Sequence, residues 1–155
     1  MDSDIENIYS GLSHPEVIKY YGVSYNSLEE TKEQMEWFKE PQQLWWAICS
    51  LDNQTFYGAV GFNDINLHKK TAEIGLWLLP NFWGQGIMKE VLPHICNYGF
   101  KHLNLKRIEG FVEANNINCK NAMNKLDFQL EKTLKDCESK DGKPISVDVY
   151  VKNNP

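Results

Sequence analysis

The sequence predicts an α+β fold: a mixed, mostly antiparallel β-sheet flanked by helices, in a single domain over residues 1–155. Three observations lead there. Apolar residues recur at helical spacing up to Pro41, change period to three strand-like runs from Leu44 to Leu79, and then follow a helix–strand–helix–strand–strand order. The chain has 155 residues, of which 42% are hydrophobic, with five Trp, seven Tyr and seven Phe, a size and content that suit one buried core. No sequence period recurs, which excludes coiled-coil and repeat architectures.

Each element has a local cause. Ser3 is placed to cap a short helix carrying Ile5, Ile8, Tyr9 and Leu12 at i, i+3, i+4, i+7 spacing, and Pro15 opens a further turn through Val17, Ile18 and Tyr21. Ser27-Leu28-Glu29-Glu30 reads as a capping box for a helix with an apolar stripe of Leu28, Met35 and Phe38, flanked by Thr31 and Trp37 and closed by Pro41. Leu44–Leu51 and Phe56–Ile65 read as strands around an Asp52-Asn53 turn. A third strand, Ala72–Leu79, follows the turn at His68-Lys69-Lys70. It places Ala72, Ile74, Leu76 and Leu78 on one face and Glu73, Gly75, Trp77 and Leu79 on the other. Pro80 stops it, and a helix runs to about Leu103 with Pro93 inside. Arg107–Ala114 is a strand, Asn115 or Asn116 caps a helix over Ile117–Leu126, and Phe128–Cys137 and Ile145–Lys152 are the last strands.

Composition narrows the chemistry. Sixteen Lys and Arg against twenty-one Asp and Glu leave a net charge of −5, which repels nucleic-acid phosphates and suits a cationic partner such as an amine. Cys49, Cys96, Cys119 and Cys137 form no C-x-x-C pair, and His14, His68, His94 and His102 are not at ligand spacing from them, so no metal site is expected. The acidic start Met1-Asp2-Ser3-Asp4-Ile5-Glu6 lacks a basic, apolar leader, and no apolar run approaches the ~20 residues of a membrane span. A cytoplasmic protein without a membrane partner is expected, as a monomer or homodimer.

The informative segment is Asn81-Phe82-Trp83-Gly84-Gln85-Gly86 at the start of a helix. Two glycines there leave backbone N–H groups bare at the positive end of the helix dipole, a cradle for a pyrophosphate. It is neither a P-loop, since no Gly-Lys-Ser/Thr follows, nor a dinucleotide fingerprint, since the third glycine is missing. A plain strand-to-helix turn would also use two such glycines.

With its flanks, Ala72-Glu73-Ile74-Gly75-Leu76-Trp77-Leu78-Leu79-Pro80 before and Ile87-Met88-Lys89-Glu90 after, this segment resembles the acetyl-CoA-binding core of the GNAT superfamily of N-acetyltransferases. It looks most like the branch that holds the RimJ/RimL-type ribosomal-protein N-terminal acetyltransferases. Ser13-His14-Pro15-Glu16-Val17-Ile18-Lys19-Tyr20, Arg107-Ile108-Glu109, Asn116-Ile117-Asn118-Cys119 and Lys125-Leu126-Asp127-Phe128 resemble further stretches of that branch, in order and over nearly the whole chain.

The resemblance implies acetyl transfer from acetyl-CoA to a primary amine, either a protein N-terminus or a small amine, by direct attack. It implies that backbone groups of Trp77 and Leu78 bond the pantetheine arm. It implies too that the Trp83-Gly84-Gln85-Gly86-Ile87-Met88-Lys89 turn holds the pyrophosphate and that Asn116 bonds the pantetheine side. Cys119 stands where the family has a Ser proposed as acid toward the CoA thiolate. Glu138 stands at the spacing of the family's catalytic Glu, with Glu73 and Glu109 as further carboxylates near the acceptor. Tyr21, Trp37, Trp45 and Trp46 are aromatic candidates for the acceptor cleft, or core.

Three departures stand out. Met88 replaces a small residue, and Asp127 replaces a Gly where a positive φ is expected. The family's first strand has no counterpart: either an edge strand is missing from the sheet, or the sequence is a short-start version of a longer protein. That gap and the Ser-to-Cys change at Cys119 keep a second reading open, a GNAT module that binds acyl-CoA without turnover.

Overall fold

Ser27 shows how local chemistry sets an element boundary: its hydroxyl accepts from Glu30 N at 3.1 Å and starts a helix at Leu28. The reciprocal arm of the capping box lands one residue early, since Glu30 Oε2 accepts from Asn26 N at 2.9 Å rather than from Ser27 N. The computed structural model describes residues Met1–Pro155. Its helices are α1 (Ile5–Leu12), α2 (Pro15–Ile18), α3 (Leu28–Trp37), α4 (Ile87–Lys101) and α5 (Ile117–Lys125). Its strands are β1 (Leu44–Cys49), β2 (Phe56–Asn66), β3 (Thr71–Leu78), β4 (Arg107–Glu113), β5 (Gln129–Lys140) and β6 (Lys143–Asn153). They form one six-stranded sheet in the order β1-β2-β3-β4-β6-β5. β1–β2, β4–β6 and β5–β6 are antiparallel and β3–β4 is parallel, the mixed, mostly antiparallel sheet that the sequence predicts.

Two compact units are distinguished. The first comprises Met1–Asp64 and Gly75–Ile87. Its core gathers Ile8, Leu12, Val17, Met35, Ala59 and Trp77, with Tyr21, Phe38, Trp45 and Phe56 packed around them. Trp37, Phe38 and Trp45 pack with tilted rings 5.6–6.3 Å apart, and Trp45 Nε1 donates to Asn63 Oδ1 at 2.7 Å. The expected α3 stripe is corrected. Leu28 is exposed, and the buried face carries Thr31, Gln34 and Met35. Thr31 Oγ1 bonds Ser27 O and Gln34 Oε1 accepts from Tyr25 Oη, so polar residues can enter the core with partners. At the start, Ser3 lies inside a 3-10 turn, Asp2–Asp4, and Asp4 rather than Ser3 occupies the N-cap position of α1.

The second unit comprises Ile65–Ile74 and Met88–Pro155. Burial alternates on β4, with Ile108, Gly110 and Val112 buried and Arg107, Glu109, Phe111 and Glu113 on the other face. α5 covers the Gly110 side, where Met123 Cε lies against the glycine. Asp127 takes φ +65°, the left-handed conformation expected from its place in Leu-Asp-Phe. The last two strands are longer than their alternation predicts and meet at a two-residue Asp141-Gly142 turn with φ +53° and +76°, the hairpin geometry that favours Asp-Gly.

Candidate active site

The glycine part of the candidate pyrophosphate turn, up to Ile87, belongs to the first unit. β3 ends at Leu78, and Pro80–Phe82 forms a 3-10 turn with Pro at its head. Leu79 N donates to Tyr57 O at 2.8 Å and Trp83 Nε1 donates to Leu78 O at 2.8 Å, so strand end and turn are pinned from both sides. Gly84 and Gly86 then take φ +74° and +80°, conformations that cost a side-chain-bearing residue energy. α4 starts at Ile87, directly after Gly86, which has no side chain to cap the free N–H groups of the first turn. A Cβ built on Gly84 or Gly86 would meet no atom within 4 Å, so the face of the turn is open to an approaching anion. Gln85 Nε2 donates to Asn81 O at 3.1 Å and steadies the loop.

Trp77 and Leu78 are placed differently from each other. The Trp77 indole is 4% exposed and rests against Gly11 and Phe56, so only its backbone can serve a ligand. The Leu78 carbonyl already accepts from Trp83, and a carbonyl oxygen has a second lone pair.

In the second unit, Asn116 caps α5: its Oδ1 accepts from Cys119 N at 3.3 Å, which leaves its NH2 group to donate elsewhere. Cys119 is partly buried, and burial pushes its thiol pKa up to about 11, so it stays a neutral thiol at neutral pH. Among the carboxylates, Glu73 and Glu109 stand side by side. The β3–β4 ladder pairs Thr71, Ala72 and Glu73 with Arg107, Ile108 and Glu109. Glu109 lies 3.5 Å from Arg107 Nε, and the same guanidinium holds Glu131 through two bonds of 2.6 and 2.7 Å. That bidentate pair keeps the Glu131 carboxyl below its usual pKa and the Arg107 guanidinium above its own. Glu109 is therefore committed to an ion pair. Glu138 is exposed on β5, opposite Ile145. It follows a double bulge in which β5 advances from Leu134 to Glu138 while β6 moves only from Val147 to Ile145. Asp136, at φ +45°, absorbs the bend and its N–H bonds Ser146 Oγ at 3.1 Å.

One group escaped the sequence reading. Asp148, in the apolar run Val147–Val151, is 2% exposed and binds Lys120 Nζ at 2.8 Å and Thr133 Oγ1 at 2.6 Å. The signal was present, a lone carboxylate in a strand of Val and Tyr, but its partners are 28 and 15 residues away in sequence. No three His, Cys, Asp or Glu side chains are grouped to hold a metal ion, and no helix is long and apolar enough to cross a membrane.

Comparison with known proteins fits this geometry. The family model of the acetyltransferase (GNAT) domain matches residues 1–129. The N-acetyltransferase YoaA of Bacillus subtilis is 30% identical over 154 residues, covering 96% of this chain and 87% of that protein. The N-acetyltransferase p20 of Bacillus licheniformis is 34% identical over 144 residues, covering 90% of this chain and 80% of that protein. Among solved structures, a spermidine N-acetyltransferase of Vibrio cholerae in complex with CoA and spermine superposes with a TM-score of 0.89 at 19% identity, over 97% of this chain and 90% of that one. A GNAT-family acetyltransferase of Bacillus anthracis gives 0.86 at 21%, over 99% and 90%. The chain belongs to the GNAT superfamily of acetyltransferases, enzymes that take their acetyl group from acetyl-CoA.

Proposed function

We propose that this protein transfers the acetyl group of acetyl-CoA to a primary amine by direct attack within a ternary complex. The carrying observation is the Pro80–Ile87 turn: two left-handed glycines with open space around them, followed at Ile87 by the start of a helix, whose first N–H groups have no partner within the helix. In this reading the N–H groups from Gly84 to Lys89, with Trp83 leading in, hold the pyrophosphate. The backbone of Trp77 and Leu78 and the amide of Asn116 bond the pantetheine arm. The match over residues 1–129 supports treating the chain as one GNAT domain.

The reaction needs a proton removed from the ammonium, an N–C bond formed as the C–S bond breaks, and the departing thiolate stabilised. Glu138 is the first candidate base and Glu73 the second. Glu109 is the third carboxylate near the acceptor, and it forms an ion pair with Arg107. A thiol pushed up to about 11 is a weaker acid than an ordinary thiol at ~8.5. Cys119 therefore suits a hydrogen bond to the CoA sulfur better than outright proton transfer, and it does not suit covalent catalysis, which needs a thiolate.

The acceptor is a primary amine. The net charge of −5 favours a cationic one. The RimJ/RimL-like motifs support a peptide N-terminus, and the fold shared with a spermidine N-acetyltransferase supports a small polyamine. Calorimetric titration with acetyl-CoA, then CoA release across peptides, polyamines and aminoglycosides, tests the reading. Failure to bind acetyl-CoA at millimolar concentration would sink it, and a single productive amine would define the branch.

A further inference from the structure

A carboxylate in the middle of an apolar strand is costly to desolvate, and well-packed apolar residues usually stabilise such a place at least as well as an ion pair. Asp148 is such a group, 3% exposed at its side chain. Its pairing does something apolar residues could not. Lys120 Nζ binds Asp148 Oδ2 at 2.8 Å and also donates to Ala114 O at 3.3 Å. Ala114 N in turn donates to Ser146 O on β6 at 2.9 Å. The segment from Ala114 to Lys120 is thus fixed to β6 at both ends, and between those ends lies the Asn116–Cys119 cap, closed by the 3.3 Å bond from Cys119 N to Asn116 Oδ1. Thr133 Oγ1 donates to the other Asp148 oxygen at 2.6 Å and holds the carboxylate's rotation.

We propose that Asp148 and Lys120 are positioning residues for acetyl transfer: the ion pair between the buried carboxylate and the half-buried ammonium sets the angle of the first turn of α5, and so the direction in which the Asn116 amide and the Cys119 thiol face the thioester. This rests on the roles given to Asn116 and Cys119 in the proposed function. Neither residue of the pair touches the reacting atoms in this assignment. The pair aims the groups that do, and misaiming by about 1 Å is enough to cost up to ~10²-fold in rate.

Replacing Lys120 alone strands the buried Asp148 carboxylate and threatens the fold, so the test uses the double apolar variant Lys120→Met/Asp148→Val, with Lys120→Arg as the conservative control. Three quantities are read on the full chain: the melting temperature, the kcat and KM for acetyl-CoA and amine, and the iodoacetamide alkylation rates of Cys119 and Cys96. The double variant is expected to melt at or above the wild-type temperature, lose ~10- to ~100-fold in kcat, and leave KM for the amine unchanged. Its Cys119 is expected to react severalfold faster while buried Cys96 stays silent. Lys120→Arg should keep both kcat and Cys119 protection. Wild-type kcat and Cys119 reactivity in the double variant would overturn the assignment. So would a double variant that cannot fold, which would make the pair a plain stability element. A wild-type chain with no acetyl transfer would instead bring down the proposed function and the positioning role with it.

Discussion

Gly86→Ala separates conformational strain from ligand recognition, because a second glycine offers a matched control. Gly86 has φ +80° and Gly142 has φ +76°, and a Cβ on either meets no atom within 4 Å. The two substitutions therefore impose the same local penalty, ~1–2 kcal/mol for an L-residue held in the left-handed region. For a chain of 155 residues that lowers Tm by ~2–8 °C in both variants. Their surroundings differ. Gly142 sits at the β5–β6 hairpin tip, whereas Gly86 immediately precedes α4. Relaxing the strain at Gly86 turns the N–H groups of the first helical turn away from a bound anion. A hydrogen bond to a charged group contributes ~1.5–3 kcal/mol, so loss of one weakens acetyl-CoA binding ~10- to ~150-fold. Differential scanning fluorimetry and calorimetric titration on the two variants should show equal losses of Tm but a loss of acetyl-CoA affinity only for Gly86→Ala. Gly86→Asp, which adds a negative charge at the same place, should abolish binding. If Gly86→Ala keeps full affinity, or Gly142→Ala loses as much, the pyrophosphate assignment of this turn is wrong.

The other predictions concern the base, the core and acid stability. Glu138→Gln should lower kcat by ~10²-fold or more and flatten the pH–rate profile without changing acetyl-CoA affinity; the same result from Glu73→Gln, with Glu138→Gln neutral, would reverse the two carboxylates. Gly11→Ala should destabilise by ~1–2 kcal/mol, because a Cβ there overlaps the buried Trp77 ring and overpacking exceeds the ~1 kcal/mol gain in helix propensity. Chemical denaturation reads that difference, and an unchanged or raised midpoint would refute the packing argument. Burial acts to raise the Asp148 pKa, but the bonds from Lys120 and Thr133 outweigh it and leave the carboxyl below its ordinary value. A depressed folded-state pKa adds stability above the unfolded value of ~3.9 that disappears as pH falls through the folded one. Melting curves between pH 5 and 3 should therefore fall more steeply for the wild type than for Lys120→Met/Asp148→Val, and parallel curves would contradict this.

The comparison of α3 with the Gly84–Gly86 turn shows why some features were legible and others were not. The turn depends on groups adjacent in sequence: Pro80 ends a strand, two glycines adopt positive φ, and an apolar period begins at Ile87. Nothing distant is needed, so it reads directly. The buried face of α3 depends on what Thr31 and Gln34 find as partners. Hydropathy ranks Leu28 above both, yet Leu28 is the exposed one. The site carboxylates divide in the same way. The residue types and their order along the strands were readable as Glu73, Glu109 and Glu138. Register decided that Glu109 stands beside Glu73, and a bulge brought Glu131 to Arg107, 24 residues away. Which of Glu73, Glu109 and Glu138 acts as base is decided by their Gln variants, Glu138 first.

Local chemistry written in the sequence thus determined the order of strands and helices, the Ser27 and Asn116 caps, the left-handed Asp127 and the glycine turn before α4. Those follow from steric limits on φ, missing side chains and hydrogen bonds within a few residues. Only the tertiary structure decided which charges neutralise one another: Arg107 with Glu131, and Lys120 with Asp148 beneath the Asn116–Cys119 cap. An ion pair needs its two ends a few ångströms apart in space, and that distance depends on strand register, bulges and the seat of α5 on the sheet, none of which is a property of neighbouring residues.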